Sequence, residues 1–166
     1  MYSAGNPDST KDWDWFFGVW RVRHRRLRAR LAGCTAWDDF EGEAHCWPTL
    51  GGLGNVDDNV IHLPSGGYRA MTVRAFDEQT QHWSIWWLDS RHASGIEPPV
   101  LGRFDGDVGI FVGQDILEGK PIVVRFKWSA IRSGAPIWEQ AFSSDGGNTW
   151  ETNWIMHFER LAADLR

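Results

Sequence analysis

Six arginines crowd one segment of this 166-residue chain: Arg21, Arg23, Arg25, Arg26, Arg28 and Arg30 fall between Trp20 and Leu31. A guanidinium left in water needs no partner. One carried into an enclosed apolar space needs a carboxylate, a carbonyl or a ligand anion to offset its desolvation. Comparable groups recur further on, with Arg74, Trp87 and Asp89 on two consecutive extended stretches, Arg91 just beyond them, and Gln140 and Trp154 near the end. Brought together with Asp38, the residues Arg26, Arg28, Arg74, Trp87, Asp89, Arg91, Gln140 and Trp154 would form an aromatic-walled site that fixes a carboxylate, hydroxyl or carbonyl of a small ligand. The same set allows a second chemistry, in which an enclosed Asp38 or Asp89 with a raised pKa serves as general acid or base on a hydrophobic substrate. A third use of so many rings is structural, a barrel whose core they fill. Whether the chain is an enzyme is left open by the residues alone.

Other chemistries find less support. The six histidines, His24, His45, His62, His82, His92 and His157, are scattered with no local pair at ligand spacing, so no metal site is expected. No nucleophile elbow occurs, and Cys34 lies in a turn without a base partner. Gly-rich Pro48 to Gly54 lacks the Lys-Ser/Thr ending of a phosphate loop. Asn55, Asp57 and Asn59 alternate on one face and are read first as turn chemistry at a strand entrance, with a polar wall or a carboxylate-amide cation site as alternatives. A net charge of -5 offers no field for nucleic acid. No run approaches the roughly 20 apolar residues of a membrane helix. Two cysteines and an N-terminal M-Y-S-A-G-N-P without an apolar run point to a reducing cytoplasm. The expected partner is a small apolar or amphipathic molecule, without a cofactor, and a homodimer is compatible with the sequence.

The elements that would position these groups are strands. Asp8, Ser9 or Thr10 can cap a brief helix presenting Trp13, Phe16 and Phe17, which Gly18 ends. A hairpin centred on Gly33 sets Arg23 opposite Glu43, Arg25 opposite Glu41 and Arg28 opposite Asp38, with Trp20, Val22, His24, Arg26 and Arg28 on the other face. Tyr68 to Asp77 and Gln81 to Ser90 form a second hairpin, pairing Phe76 with Trp83, Arg74 with Ile85, Thr72 with Trp87 and Ala70 with Asp89; its ring-rich face is expected inward. Ile122 to Ile131 has period two. Ile137 to Phe142 pairs with Trp150 to Phe158, Trp138 against Trp154, which leaves Glu139 and Asn153 on the outer face. Leu161 to Arg166 reads as a frayed helical turn. The turn Ser143 to Trp150, S-S-D-G-G-N-T-W, matches a sialidase aspartate box once only, and is read as a hairpin turn held by Asp145 and Trp150. About ten hairpin-linked strands with no linker or repeat predict one domain over residues 1–166. It is an all-β, up-and-down antiparallel barrel with a short N-terminal helix plugging one end; a two-sheet sandwich is the runner-up.

A short helix, then Gly18-x-Trp20 opening the first strand of a hairpin meander, resembles the calycin superfamily of lipocalins, fatty-acid-binding proteins and nitrobindin-like barrels. The F-D-x-x-T-x-x-W hairpin from Phe76 to Trp83 is similar to one in bacterial lipocalin-like domains of unknown function. The resemblance implies a barrel with an internal site for a small, largely apolar molecule. It departs from nitrobindins after Trp20, where Arg21 to Arg26 replace a glycine-rich continuation. Those barrels hold haem through a histidine near the C-terminal end, which would point to His157. Its neighbours Met156 and Phe158 belong to the inward face, so His157 is expected outside and haem is not.

Overall fold

The computed structural model describes residues 8–162. Two consecutive 3₁₀ turns, Ser9–Lys11 and Asp14–Phe16, precede ten strands. These are β1 (Gly18–Leu27), β2 (Trp37–Thr49), β3 (Gly54–Ile61), β4 (Tyr68–Asp77), β5 (His82–Asp89), β6 (Val100–Asp105), β7 (Val108–Leu117), β8 (Lys120–Ser129), β9 (Ile137–Ser143) and β10 (Glu151–Arg160). Each strand pairs antiparallel with its neighbours in sequence, and β1 pairs with β10, which closes the barrel. The tail beyond β10 is not helical at Leu161 and Ala162, and the rest of the turn expected there lies outside the described residues.

Trp13 and Phe16 are carried by the N-terminal turns into one end of the barrel, where both are fully buried. Trp13 meets Trp83, Phe104 and Trp128 edge to face, with centroids 6.2, 5.0 and 5.7 Å away. Such pairs contribute about 0.5 to 1.5 kcal/mol beyond the area they bury. Gly18, at φ +117°, then swings the chain into β1, and a Cβ there would stand 2.7 Å from the Arg160 guanidinium. That guanidinium donates to the carbonyls of Phe17 and Trp15 and lies over the Trp20 ring, which fastens the plug to the last strand.

The β4–β5 register is the one the sequence predicts, from Phe76 opposite Trp83 to Ala70 opposite Asp89. The β1–β2 register differs by two residues: Arg23 faces Glu41, Arg25 faces Asp39, and Arg26 faces Asp38. The hairpin turns one position earlier than Gly33, and because the side-chain period is two, the shift leaves every side chain of β1 on its expected face. Arg23 and Arg25 are outside. Arg28 is a correction. Strand β1 ends at Leu27, and Arg28 emerges 62% exposed, bound to Asp38 at 2.9 Å on the rim. A second correction concerns β9–β10, where Trp154 faces Gln140 and Met156 faces Trp138. The register breaks between Thr152 and Trp154, and the bulge turns Asn153 inward, 0% exposed, to accept a hydrogen bond from Gln140 at 2.9 Å.

Above the plug sits a buried ion pair. Arg74 and Asp57, each 3% exposed, meet at 2.6 Å; Arg74 also donates to Asn55 and stacks over Trp13 at 4.3 Å. The alternating Asn55, Asp57 and Asn59 are not turn groups but a buried polar wall on the inner face of β3, with Asp57 and Asn55 bound to Arg74 and Asn59 donating to Asp57.

Removing one member of this pair strands the other in the interior. Arg74→Met should lower stability by about 3 to 5 kcal/mol, and Arg74→Met with Asp57→Asn by clearly less. Arg23→Ala, on the exposed face, should stay within about 0.5 kcal/mol. Urea unfolding of the three variants checks the ranking, and a silent Arg74→Met would contradict the buried pair.

Candidate functional site

At the opposite end from the plug, the barrel encloses a cavity of about 240 Å³. Its middle is an apolar ring: Ile85 and Trp87 from β5, Val100 from β6, Ile122, Val124 and Phe126 from β8, Trp138 and Phe142 from β9, and Trp154 from β10. These are inward positions of strands with period-two patterning. A smaller void of about 30 Å³ continues below it to Asp57, Asn59, Thr72 and Arg74, room for about one water. Strands β5 and β6 are paired over only a short stretch. They pair only from Trp83 opposite Gly102 to Ile85 opposite Val100, and above that point the segment from Ser90 to Pro99 crosses the gap. Glu97 closes back onto β5, its N–H donating to the Trp87 carbonyl at 3.4 Å.

Charged groups ring the mouth. Arg91 grips Asp89 with two hydrogen bonds of 3.0 and 2.8 Å, Trp87 donates to the same carboxylate at 3.3 Å, and the Arg91 guanidinium lies 3.8 Å over the Tyr68 ring. Arg26 reaches in from β1 over the Trp154 ring at 4.6 Å, and Arg30 lines the cavity beside it. Burial pulls the pKa of Arg26 down, though it stays a cation at neutral pH. Hydrogen bonds from Arg91 hold the Asp89 carboxyl below the usual carboxylate range. That is the reverse of the raised pKa a general acid there would need. Asp38 is tied to Arg28 and does not line the cavity. The group raised in this way is Glu97, through desolvation and then the charges of Asp115 and Asp89, although one flank of the residue meets solvent.

Of the residues singled out from the sequence, Arg26, Trp87, Asp89, Arg91, Gln140 and Trp154 line this cavity together. Arg28 and Asp38 stand apart as an exposed pair, and Arg74 lies below, bordering the smaller void and committed to Asp57. Sequence reasoning missed Arg30, Glu97, Gln114 and Asp115. Arg30 extends the arginine series past the strand's end, and Glu97 precedes Pro98 and Pro99 at the start of β6; neither position carries a period that marks it as inward. Among the described residues no cluster of His, Cys, Asp and Glu is arranged to hold a metal. His157 is on the outer face, as expected from Met156 and Phe158. The aspartate-box turn is a turn: Asp145 accepts from Ser143, the Thr149 N–H and the Thr149 hydroxyl, which hold its carboxyl at about 2, and Trp150 donates to the Gly147 carbonyl.

No family model matches the chain, and no curated protein matches it either. The closed ten-stranded antiparallel barrel is compatible with calycin and lipocalin-like folds.

Behind the cavity wall, His24 stacks on Phe40 at 4.7 Å and its Nδ1 accepts a hydrogen bond from Trp154 Nε1 at 3.1 Å. Gly42 makes room for the ring, since a Cβ there would meet His24 Nε2 at 2.9 Å. Burial, with the charge of Arg26 second, pushes the His24 pKa from 6.5 down to about 3. The unfolded chain therefore binds a proton that the folded chain refuses. The stability His24 contributes is whole above pH 6.5 and drains away as pH falls toward 3. His24→Gln, which keeps an acceptor for Trp154 without a titrating ring, should cost about 1 to 2 kcal/mol near neutrality. The gap to wild type should shrink or reverse by about pH 4.5. Urea midpoints at the two pH values test this, and a gap that does not change with pH would contradict it.

Proposed function

We propose that this barrel binds a small amphipathic molecule, its apolar body against the ring around Trp138 and Val124 and its polar end at the charged mouth. The observation that carries this reading is the contrast between the two halves of the interior. Near the plug, Trp13, Phe16, Trp83, Phe111 and Trp128 fill the space. Beyond the Arg74–Asp57 pair lies a cavity of about 240 Å³ whose lining joins an apolar ring to eight charged or amide side chains, a mixture that suits an amphipathic ligand better than a purely apolar one. The volume is just under the roughly 300 to 1,000 Å³ of sites for drug-sized ligands, which favours a compact ligand over a long acyl chain. In the same reading the chain is a lipocalin-like calycin. The closed meander, the N-terminal plug and Gly18-x-Trp20 support that placement. A catalytic version would turn to the cavity carboxylates not held by an arginine, Glu97 and Asp115, since Asp38 and Asp89 are so held.

Calorimetric titration with naphthol, a rigid amphiphile of suitable size, should show saturable binding at one site. Val124→Phe with Ile85→Phe fills the chamber from two sides; it should abolish that binding while leaving the melting temperature unchanged or higher. Failure of naphthol, naphthoate and naphthyl phosphate all to bind the wild-type protein, or undiminished binding to the filled variant, would overturn the proposal.

A further inference from the structure

We infer that the polar end of the ligand is a dianionic group, with a phosphate monoester the best fit, held between Arg26, Arg30 and the Tyr68 hydroxyl. The inference rests on the chamber being a binding site and adds the chemistry of what enters it. Arg26, Arg30 and Arg91 line the cavity, and Tyr68, packed under Arg91 just outside its lining, is close enough that their charges act on the phenol. One carboxylate answers them directly, and Asp89 is spent on a two-point grip of Arg91. Among the described residues neither Arg26 nor Arg30 has an ion-pair partner. Three guanidiniums and one carboxylate leave two positive charges that repel each other in a partly desolvated place.

The donors tell the same story. Arg26 Nε and the Tyr68 hydroxyl are both buried and both without a hydrogen-bond partner, although buried polar groups are rarely left so. Each is fixed in place by stacking, Arg26 on Trp154 at 4.6 Å and Tyr68 beneath Arg91 at 3.8 Å, so neither can swing away to water cheaply. The remaining carboxylates, Glu97 and Asp115, come from the β7 side and the segment before β6. Glu97 lies near Arg91 and Asp89, Asp115 is on β7, four strands from β1 around the closed sheet, and neither pairs with Arg26 or Arg30. A phosphate monoester brings close to two negative charges at neutral pH and three acceptor oxygens, matching two free cations and an orphan hydroxyl. A monocarboxylate would leave one cation unanswered.

Naphthol, naphthoate and naphthyl phosphate present one apolar body with no charge, one charge and two, and calorimetry at about pH 7.5 compares them. Naphthyl phosphate should bind at least about tenfold more tightly than naphthoate. Arg26→Met and Arg30→Gln should each weaken the phosphate ester by about tenfold and naphthol by less than about twofold. Tyr68→Phe keeps the ring under Arg91 and should weaken only the two anions. Naphthoate binding as tightly as the phosphate, or Arg26→Met weakening naphthol equally, would overturn the inference while leaving the chamber as a binding site. If none of the three binds, the chamber reading falls as well, and this inference with it.

Discussion

The ion pair between Arg74 and Asp57 divides the barrel, and the rest of the interior is arranged on either side of it. A charge in that position is unfavourable unless it is paired, and here the partners come from two sides: Asp57 and Asn55 on β3, and the Trp13 face from the plug. The N-terminal turns are therefore more than a cover. They supply the aromatic floor on which the guanidinium rests, and the guanidinium in turn fixes where the aromatic packing stops. Below it, ring meets ring down to the plug. Above it, Trp87 from β5 and Trp154 from β10 still meet edge to face across the barrel, and the remaining inward side chains leave the cavity around them.

At the mouth the pairing is incomplete: three guanidiniums and three carboxylates line the cavity, only Arg91 and Asp89 are bound to each other, and two buried donors nearby are unanswered. Trp154 connects this region to the fold. Its indole N–H is used by His24, its face carries Arg26, and its edge meets Trp87 and Trp138. A neutral His24 is what allows it to accept from that N–H, and a protonated ring would add a further cation close to Arg26. The position of the arginine in the cavity and the acid sensitivity of the barrel thus share one tryptophan.

Much of this was legible in the sequence where local pattern and turn length agree. The hairpin from Tyr68 to Asp89 has a short, unambiguous turn, and its register, its inward face and the placement of Arg74, Trp87 and Asp89 follow from alternation alone. The β1–β2 connection is longer, so its centre is not set by a turn motif; the register moved by two residues and the faces survived because two is the period of a strand. Arg28 was misplaced because alternation says nothing about where a strand ends. Asn153 was misplaced because a bulge adds a residue that alternation cannot foresee. Asp57 as the partner of Arg74 required knowing that β3 and β4 are neighbours in register, with Asp57 opposite Thr72 and Asn55 opposite Arg74. Glu97 lies in a segment without period, and only the closing of that segment across the β5–β6 gap brings it to the cavity.

The account depends on the two halves of the barrel differing in access, and thiol labelling reads that difference directly. Native Cys46 lies in the lower half against Asn55, where burial pushes its thiol up to about 12. In a Cys34→Ser background, which removes the partly exposed native thiol, Val124→Cys would place a second thiol on the wall of the chamber. The folded protein should react with a small uncharged thiol reagent at the introduced cysteine within a modest factor of its rate in the unfolded chain, while Cys46 stays protected until global unfolding. Protection of the cysteine at position 124 to the same degree as Cys46 would mean that the upper half is as closed as the lower, and would contradict the claim that this barrel holds a chamber open to ligand.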